Sequence, residues 1–432
     1  MRFLMITMQF PTGEGQSYLT TELVDALIAS GHEVEVLHLD WAAAPSATAE
    51  DFVTQDGVRV VRCSPRYISG FGRLVRHASK FVLSGRRAAR IAERCFDLTS
   101  FDAAIAWMPA VAIAPLVKMI GRAGIRNRLL FIWDFFPDHH HEIGRVPGGL
   151  PLRIARAWEQ ALFRRFTAII CTLPGNAAYL RRRFHVGHEQ KILVTPIWGN
   201  CSPAPAIDSA AVRRHHRLPP DAPIAVFGGQ FVEGRGFEQM LAAADGGLRS
   251  GSNLVFLFVG DGRLAPAIRE RAAQQANLIY LPPVSRAEYL ELLGACDVGM
   301  AATVPGVTSF SIPSKTIDYL RAGLPVVAAV EDGNEFAGIL RQYDVGCCVP
   351  FGDAQAFLAV AERLATGGRI SEAAARCLED VFDVRHAVAT VLEAAGRNSE
   401  AAAARGRGQS SRRRSRKPAG APSARRPPRE AA

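Results

Sequence analysis

The sequence predicts an α/β protein of two Rossmann-like domains followed by a disordered basic tail, and three observations carry that prediction. The chain has 432 residues, more than one hydrophobic core usually supports. Short apolar runs alternate with helical periodicity in two successive series, each opening on a strand and a glycine loop. Between the series lies Pro196 to Pro223, holding Cys201-Ser202-Pro203-Ala204-Pro205 and Pro219-Pro220, a composition suited to a linker. The expected units are residues 1–200, residues 201–396 and a tail over 397–432.

The first series begins with Phe3 to Met8, a strand that stops at Pro11-Thr12-Gly13-Glu14-Gly15. A helix over Tyr18 to Ser30, the stop Gly31-His32 and a strand over Glu33 to Leu39 follow. In a parallel sheet the first loop lies at the ligand edge, so Gly13 and Gly15 are candidate cleft residues, although a plain connecting turn has the same composition. Val58 to Arg62 and Ala103 to Trp107 are further strands. Between them, Phe71 to Cys95 carries seven Arg or Lys against Glu93 alone. Such a helix fits an anionic bilayer, apolar side down, and fits equally a solvated basic helix.

Leu129 to Trp133 reads as a strand ending in Asp134-Phe135-Phe136-Pro137-Asp138-His139-His140-His141-Glu142. Polar residues just past a buried strand are where such domains keep their reactive groups. Asp134 and His139 are the candidates, for contact with acceptor or donor phosphate. A metal is disfavoured because adjacent histidines point in different directions.

The second series opens with the strand Ile224 to Phe227 and the loop Gly228-Gly229-Gln230-Phe231-Val232-Glu233-Gly234-Arg235-Gly236. Backbone amides at Gly229 and Gln230 can approach a diphosphate closely, and Arg235 can hold it by a bidentate contact. Gly260-Asp261-Gly262-Arg263-Leu264-Ala265 matches a dinucleotide pattern, but the next strand, Leu278 to Leu281, ends in Pro282-Pro283-Val284 without the acid that would bind a ribose. Gly260 and Gly262 are therefore read as lining a mononucleotide pocket.

The stretch Val304 to Ala328 is the centre of the predicted chemistry. A loop rich in Gly, Pro, Ser and Thr turns near Pro313 and Ser314 into a helix that ends at Ala322-Gly323 and leads to the strand Pro325 to Ala329. Ser314 and the first-turn amides form an anion-binding end, Lys315 adds a full charge, and Asp318 lies one turn on, where it could accept from sugar hydroxyls. A helix cap followed by an ordinary Lys–Asp surface pair fits the same residues.

From this stretch, Pro313-Ser314-Lys315 running into Asp318-Tyr319-Leu320-Arg321-Ala322-Gly323-Leu324-Pro325, the chain resembles glycosyltransferase family 4, retaining enzymes of the B-type fold. It is most similar to the branch that builds bacterial capsule, exopolysaccharide and O-antigen chains, and the likeness runs from about Met1 to about Leu392. The resemblance implies two domains facing each other across a cleft. It also implies a nucleotide-sugar donor, expected to be UDP-linked, and transfer with retention of anomeric configuration. No cofactor or metal is implied, and the acceptor would be a saccharide or a polyprenyl-linked sugar.

By position, Gly13 and Gly15 match the family's first loop, and Asp134 with Pro137 its D-x-x-P element. Gln230 and Arg235 stand in the diphosphate loop, the Val284 backbone at the base, and Lys315, Asp318 and Ser314 at the donor. One departure is plain. The family's paired acids lie eight residues apart, and the first place holds Phe310. Backbone amides at Ser309 and Phe310 are the expected substitutes. An epimerase of nucleotide-sugars, or an inactive membrane-associated scaffold, shares the same fold.

The formal charge of +10 is concentrated in the tail, where eleven basic residues from Arg397 onward face only Glu400 and Glu430. With almost no apolar bulk that segment is expected to be disordered. Lacking aromatic residues, it offers no stacking platform for a specific nucleic acid. The eight cysteines form no C-x-x-C pair and suit a reducing compartment. No signal peptide and no apolar run of about 18 residues is evident. The expected location is cytoplasmic, at the inner face of the cytoplasmic membrane, with peripheral contact to anionic lipid.

Overall fold

The computed structural model describes residues 1–396 other than 12–17, 47–48, 55, 71, 143, 145, 233–234, 304–310 and 332. Gly13, Gly15, Ser309, Phe310 and the tail lie outside the described residues. The first sheet consists of β1 (Arg2–Thr7), β2 (Glu33–Leu39), β3 (Ala49–Val53), β4 (Arg59–Cys63), β5 (Ala103–Trp107), β6 (Asn127–Ile132), β7 (Ala168–Cys171) and β8 (Lys191–Val194). The second consists of β9 (Ile224–Gln230), β10 (Val255–Asp261), β11 (Leu278–Leu281), β12 (Val298–Ala302), β13 (Val326–Val330) and β14 (Gly346–Pro350). Their orders are β3-β4-β2-β1-β5-β6-β7-β8 and β11-β10-β9-β12-β13-β14. All described pairings are parallel except β3 with β4.

Parallel strands covered by helices on both faces are mostly apolar, and β5, β7, β12 and β13 are apolar and buried throughout. Along β1, Leu4 and Ile6 enter one buried cluster while Phe3 and Met5 enter the cluster on the other face. In β9, Ala225 and Phe227 alternate in the same way with Ile224 and Val226. The edge strand β3 has no counterpart in the sequence reading, because Ala49-Glu50-Asp51-Phe52-Val53 is half-exposed and lacks an apolar run. Its hairpin with β4 turns at Gly57, whose φ is +81°, so Asp56-Gly57 was the available signal.

The chain passes between domains twice. Trp198 is buried in the first domain and donates its indole N–H to the Leu19 carbonyl at 2.7 Å. The next residue, Gly199, donates its amide to the Phe382 carbonyl at 3.0 Å and bridges in parallel to Asp383. The closing helix over 384–396 then returns to the first domain, where Val388, Val391 and Ala394 join Phe3, Met5 and Leu23. A second tie crosses at Gly175, whose amide donates to both carboxylate oxygens of Glu335, at 2.9 and 3.1 Å.

Over its described C-terminal part, the basic helix Arg73–Cys95 packs apolar residues on the protein. Phe81 rests against Trp41 and Phe136, and Ala88 and Ala92 are fully buried. Lys80 donates to the Trp41 carbonyl at 2.8 Å. Phe81, one of the apolar residues that could have rested on a bilayer, is therefore taken up by packing within the protein.

At the carboxyl edge of the second sheet, Gly260 lies opposite Gly229 with φ +146°. A Cβ there would come within 1.9 Å of the Gly229 carbonyl oxygen. Gly260→Ala is expected to cost about 3 kcal/mol or more, read as a fall in the denaturant midpoint. An unchanged midpoint would mean that β9 and β10 do not pair to their ends.

Candidate active site

In an open parallel sheet a ligand settles beyond the carboxyl ends of the strands, where successive strands lead off in opposite directions. That point lies between β9 and β12 in the second sheet and between β1 and β5 in the first. Residues near both points line one cleft of about 1480 Å³. The second domain contributes Gly229, Gln230, Arg235, Gly260, Gly262, Val284, Ser314, Lys315 and Asp318, so the described donor-side candidates are brought together on one wall. The first domain contributes Gln9, Phe10, Tyr18, Glu22, His38, Asp40 and Arg62.

Lys315 opens the helix Lys315–Arg321. Its ammonium lies 4.3 Å from the centroid of the Phe227 ring. The side chain is half-buried, and its remaining exposure is to the cleft. Burial, and then the neighbouring Arg235 cation, push its pKa down to about 7, with Asp318 pulling the other way. A cation disfavoured in this way gains more from an arriving anion than an ordinary surface lysine does.

The start of this helix departs from the expectation. Ser314 is itself helical and its side chain makes no capping bond. The Thr316 and Ile317 amides donate to the Pro313 and Ser314 carbonyls at 3.0 and 3.2 Å. The anion-facing end is thus narrower than a full first turn of amides, and Lys315 supplies most of its charge.

Asp318 is also occupied. Arg286 holds both of its carboxylate oxygens in a bidentate pair, with Nη1 to Oδ2 at 2.6 Å, and Arg321 stands 3.9 Å away. A carboxylate expected to accept from sugar hydroxyls is instead half of an ion pair, and a ligand at this wall meets the pair. Sequence reasoning missed Arg286. The available signal was Ser285, which caps the helix Arg286–Gly294 by accepting from the Glu288 amide at 3.2 Å. That cap places Arg286 at a helix start just past a strand end.

The Gly260–Gly262 turn is tied to the neighbouring loop. The Phe231 amide donates to the Asp261 carbonyl at 2.8 Å, and the Leu264 amide donates to the Phe231 carbonyl at 3.0 Å. Gly260, Asp261 and Gly262 line the cleft.

On the first-domain wall, Arg62 donates through Nε to Asp40 at 2.9 Å, and burial lowers the pKa of nearby His38. Tyr18 stands between the two domains' charges. Burial, and then Asp134, push its phenol up to about 12, while Arg235 opposes them. The two first-domain candidates that are described, Asp134 and His139, do not line the cleft. Asp134 is exposed and reaches the cleft only through its charge on Tyr18. His139 belongs to the short helix Asp138–Glu142, which Asp138 pins in place. That buried carboxylate accepts from Arg156 Nε at 3.0 Å and the Tyr179 hydroxyl at 2.9 Å, with Arg183 at 3.5 Å. Among the described residues, the group of histidines and acids close enough to share a metal is His215, His216 and Glu288, none of which lines the cleft.

Two parallel sheets meeting over a shared cleft, joined by a double crossing, are the architecture of B-type glycosyltransferases. The chain belongs to these glycosyltransferases: residues 14–198 match a glycosyl transferase 4-like domain and residues 222–366 match the glycosyl transferases group 1. It is 23% identical over 357 residues to the colanic acid biosynthesis glycosyl transferase WcaI of Escherichia coli K12, covering 78% of this chain and 85% of that one. Its fold resembles sucrose-phosphate synthase from Thermosynechococcus elongatus, with a TM-score of 0.67 at 16% identity over 93% of this chain and 99% of that one. It also resembles HepE from Anabaena, solved with UDP and glucose, with a TM-score of 0.61 at 13% identity over 94% of this chain and 100% of that one.

Because Lys315 titrates near pH 7, a diphosphate that needs its charge should bind less tightly as pH rises above about 7. Binding of UDP at about pH 8 should take up a proton, because the bound anion raises the depressed pKa again. Calorimetry in two buffers of different ionisation enthalpy reads that uptake. It should vanish in Lys315→Met, and its absence in the wild type would separate Lys315 from the phosphates.

Proposed function

We propose that this glycosyltransferase moves a sugar from a nucleoside diphosphate sugar, UDP-linked in the first instance, to a saccharide or polyprenyl-linked acceptor in the assembly of bacterial surface polysaccharide. The observation that carries this reading is the placement of Lys315 and Arg235 on one wall of the cleft, beside the glycine-lined strand ends. The likeness to WcaI, named for colanic acid biosynthesis, supports the polysaccharide setting. HepE, of like fold and solved with UDP and glucose, supports the donor class. The acceptor would sit on the opposite wall near Tyr18, Glu22 and the Asp40–Arg62 pair, and the protein would work at an anionic membrane.

The reaction is read as retaining and independent of a metal. The bond from the anomeric carbon to the diphosphate oxygen breaks with oxocarbenium character in the sugar. The acceptor oxygen attacks from the face the diphosphate leaves, and its proton passes to the departing phosphate. Negative charge grows on the diphosphate, and Lys315 and Arg235 stabilise it where a divalent cation would otherwise serve. Closure of the two domains brings the acceptor hydroxyl to the anomeric carbon and excludes water. The Arg286–Asp318 pair would orient the sugar or ribose hydroxyls.

Thermal-shift titration against UDP, GDP, ADP, CMP and NAD should show stabilisation by one nucleoside diphosphate, lost in Lys315→Ala. The same substitution should lower turnover by about 100-fold or more with little change in melting temperature. Activity should survive EDTA, and the product should keep the donor's anomeric configuration by NMR. No stabilisation by any of these nucleotides would support an inactive scaffold instead, and stabilisation by NAD alone would return the Gly260–Gly262 turn to a dinucleotide role.

A further inference from the structure

We propose that His215, His216 and Glu288 form a binding site for a transition-metal dication of the zinc class, outside the cleft and separate from sugar transfer. Their ligand atoms, one from each residue, all lie within 4.8 Å of one another. Two imidazoles and a carboxylate are a donor set that zinc takes as three of its four ligands, leaving one position for water. Calcium and magnesium prefer oxygen ligands throughout, so the two nitrogens disfavour them. Around zinc, with bonds of about 2.0 to 2.1 Å, the ligand atoms would stand about 3.4 Å apart. The cluster is slightly open by that measure, and side-chain rotation suffices to close it. His215 is exposed and the Glu288 side chain is 35% exposed, so both have room to turn, whereas the His216 side chain, at 9%, is the fixed point. An ordinary His–Glu pair is the competing account, but His216 Nε2 stands 3.8 Å from Glu288 Oε1, too far for a hydrogen bond.

The backbone holds these side chains together without help from a metal. His215 ends the helix Ser209–His215 and His216 caps it, with their rings 4.8 Å apart at 84°. Arg217 follows at φ +55° and turns the chain away. Arg213, on the same helix, donates through Nε to the Ala295 carbonyl and through Nη2 to Asp297, both at 3.0 Å, just past the end of the helix Arg286–Gly294. Ile207 packs on Gly294 so closely that a Cβ there would come within 2.7 Å of it. At the other end, the Ser285 cap on the Glu288 amide fixes the turn that carries the carboxylate. Exposed Glu291, three residues on, adds negative charge on the same face. The helix Ser209–His215 lies in the segment that joins the two domains, and Arg286 heads the other helix and pairs with Asp318 in the cleft. A metal between them would staple that segment to the donor wall, two residues from Arg286, without touching the reacting atoms.

The test uses the untagged full chain, stripped with EDTA and titrated with zinc chloride by calorimetry in the presence of TCEP. One zinc should bind per chain, and X-ray absorption of the loaded protein should show only nitrogen and oxygen neighbours. His216→Asn and Glu288→Gln should each weaken binding about tenfold or more. Zinc should raise the melting temperature of the wild type by a few degrees and leave both variants unmoved. In EDTA both variants should melt with the wild type, because neither the Ser285 cap nor the Arg213 contacts use the altered side chains. Sugar transfer by the stripped protein should persist. Binding undiminished in both variants, or sulfur in the absorption spectrum, would move the zinc to the cysteines or to the His139–His141 run and overturn the site. No heat of binding with zinc in excess would reduce the cluster to a His–Glu pair. Transfer abolished by EDTA and equally by Glu288→Gln would overturn the separation of this metal from the reaction.

Discussion

The structure depends on keeping one ammonium group partly out of water where β9 and β12 part. Lys315 is held above the Phe227 ring and beside Arg235, and both neighbours shape its charge. An aromatic face favours the cation weakly, while a nearby guanidinium and burial oppose it. Such a group stays in place because the surrounding backbone is over-determined. Tyr319, four residues on, donates its hydroxyl to the Met300 carbonyl at 3.0 Å beneath the same sheet edge. Gly228 approaches so closely that a Cβ there would lie 2.0 Å from the Tyr289 hydroxyl oxygen. The glycines of this edge let strand ends and ring systems come near enough to seat the charge, and the fold is rigid where its chemistry is concentrated.

Asp318, paired with Arg286, acts on that charge in the opposite direction and favours the cation. Its bidentate geometry removes much of the carboxylate's capacity to act as a lone acid, and it fixes the helix Arg286–Gly294 against the helix that carries Lys315. Breaking a half-buried pair by removing one partner costs more than the pair contributes, because the other charge remains desolvated. The two residues therefore act as one unit in the cleft wall, and a side chain that would be read singly as a hydroxyl acceptor is better understood as half of a hydrogen-bonded plate.

Much of this was legible in the sequence, and for a physical reason. Strands of a parallel sheet covered on both faces are continuous apolar runs, and glycine turns mark their carboxyl ends, so the two series and the second-domain wall could be located without coordinates. What was not legible shares one property, dependence on direction in space. Asp318 and Arg286 are 32 residues apart, and no local periodicity joins them. The charge count over 71–95 was correct, yet it says nothing about which side of the helix faces Trp41 and Phe136. Asp134 and His139 follow a buried strand as active residues often do, but Asp138 turns the short helix toward Arg156 and Tyr179 and away from the cleft. The strand β3 escaped because an edge strand needs no apolar run.

The two crossings between domains run side by side, with Gly199 bonded to Phe382 and bridged to Asp383. A single covalent connection would let one domain swivel freely on the other. Two adjacent connections behave as a pair of pins: bending across the line through them is easy, and twisting about the long axis of the molecule is resisted. Under the proposed closure the facing walls would return in the same relative rotation, with orientation carried by the joint as well as by contacts at the reacting atoms.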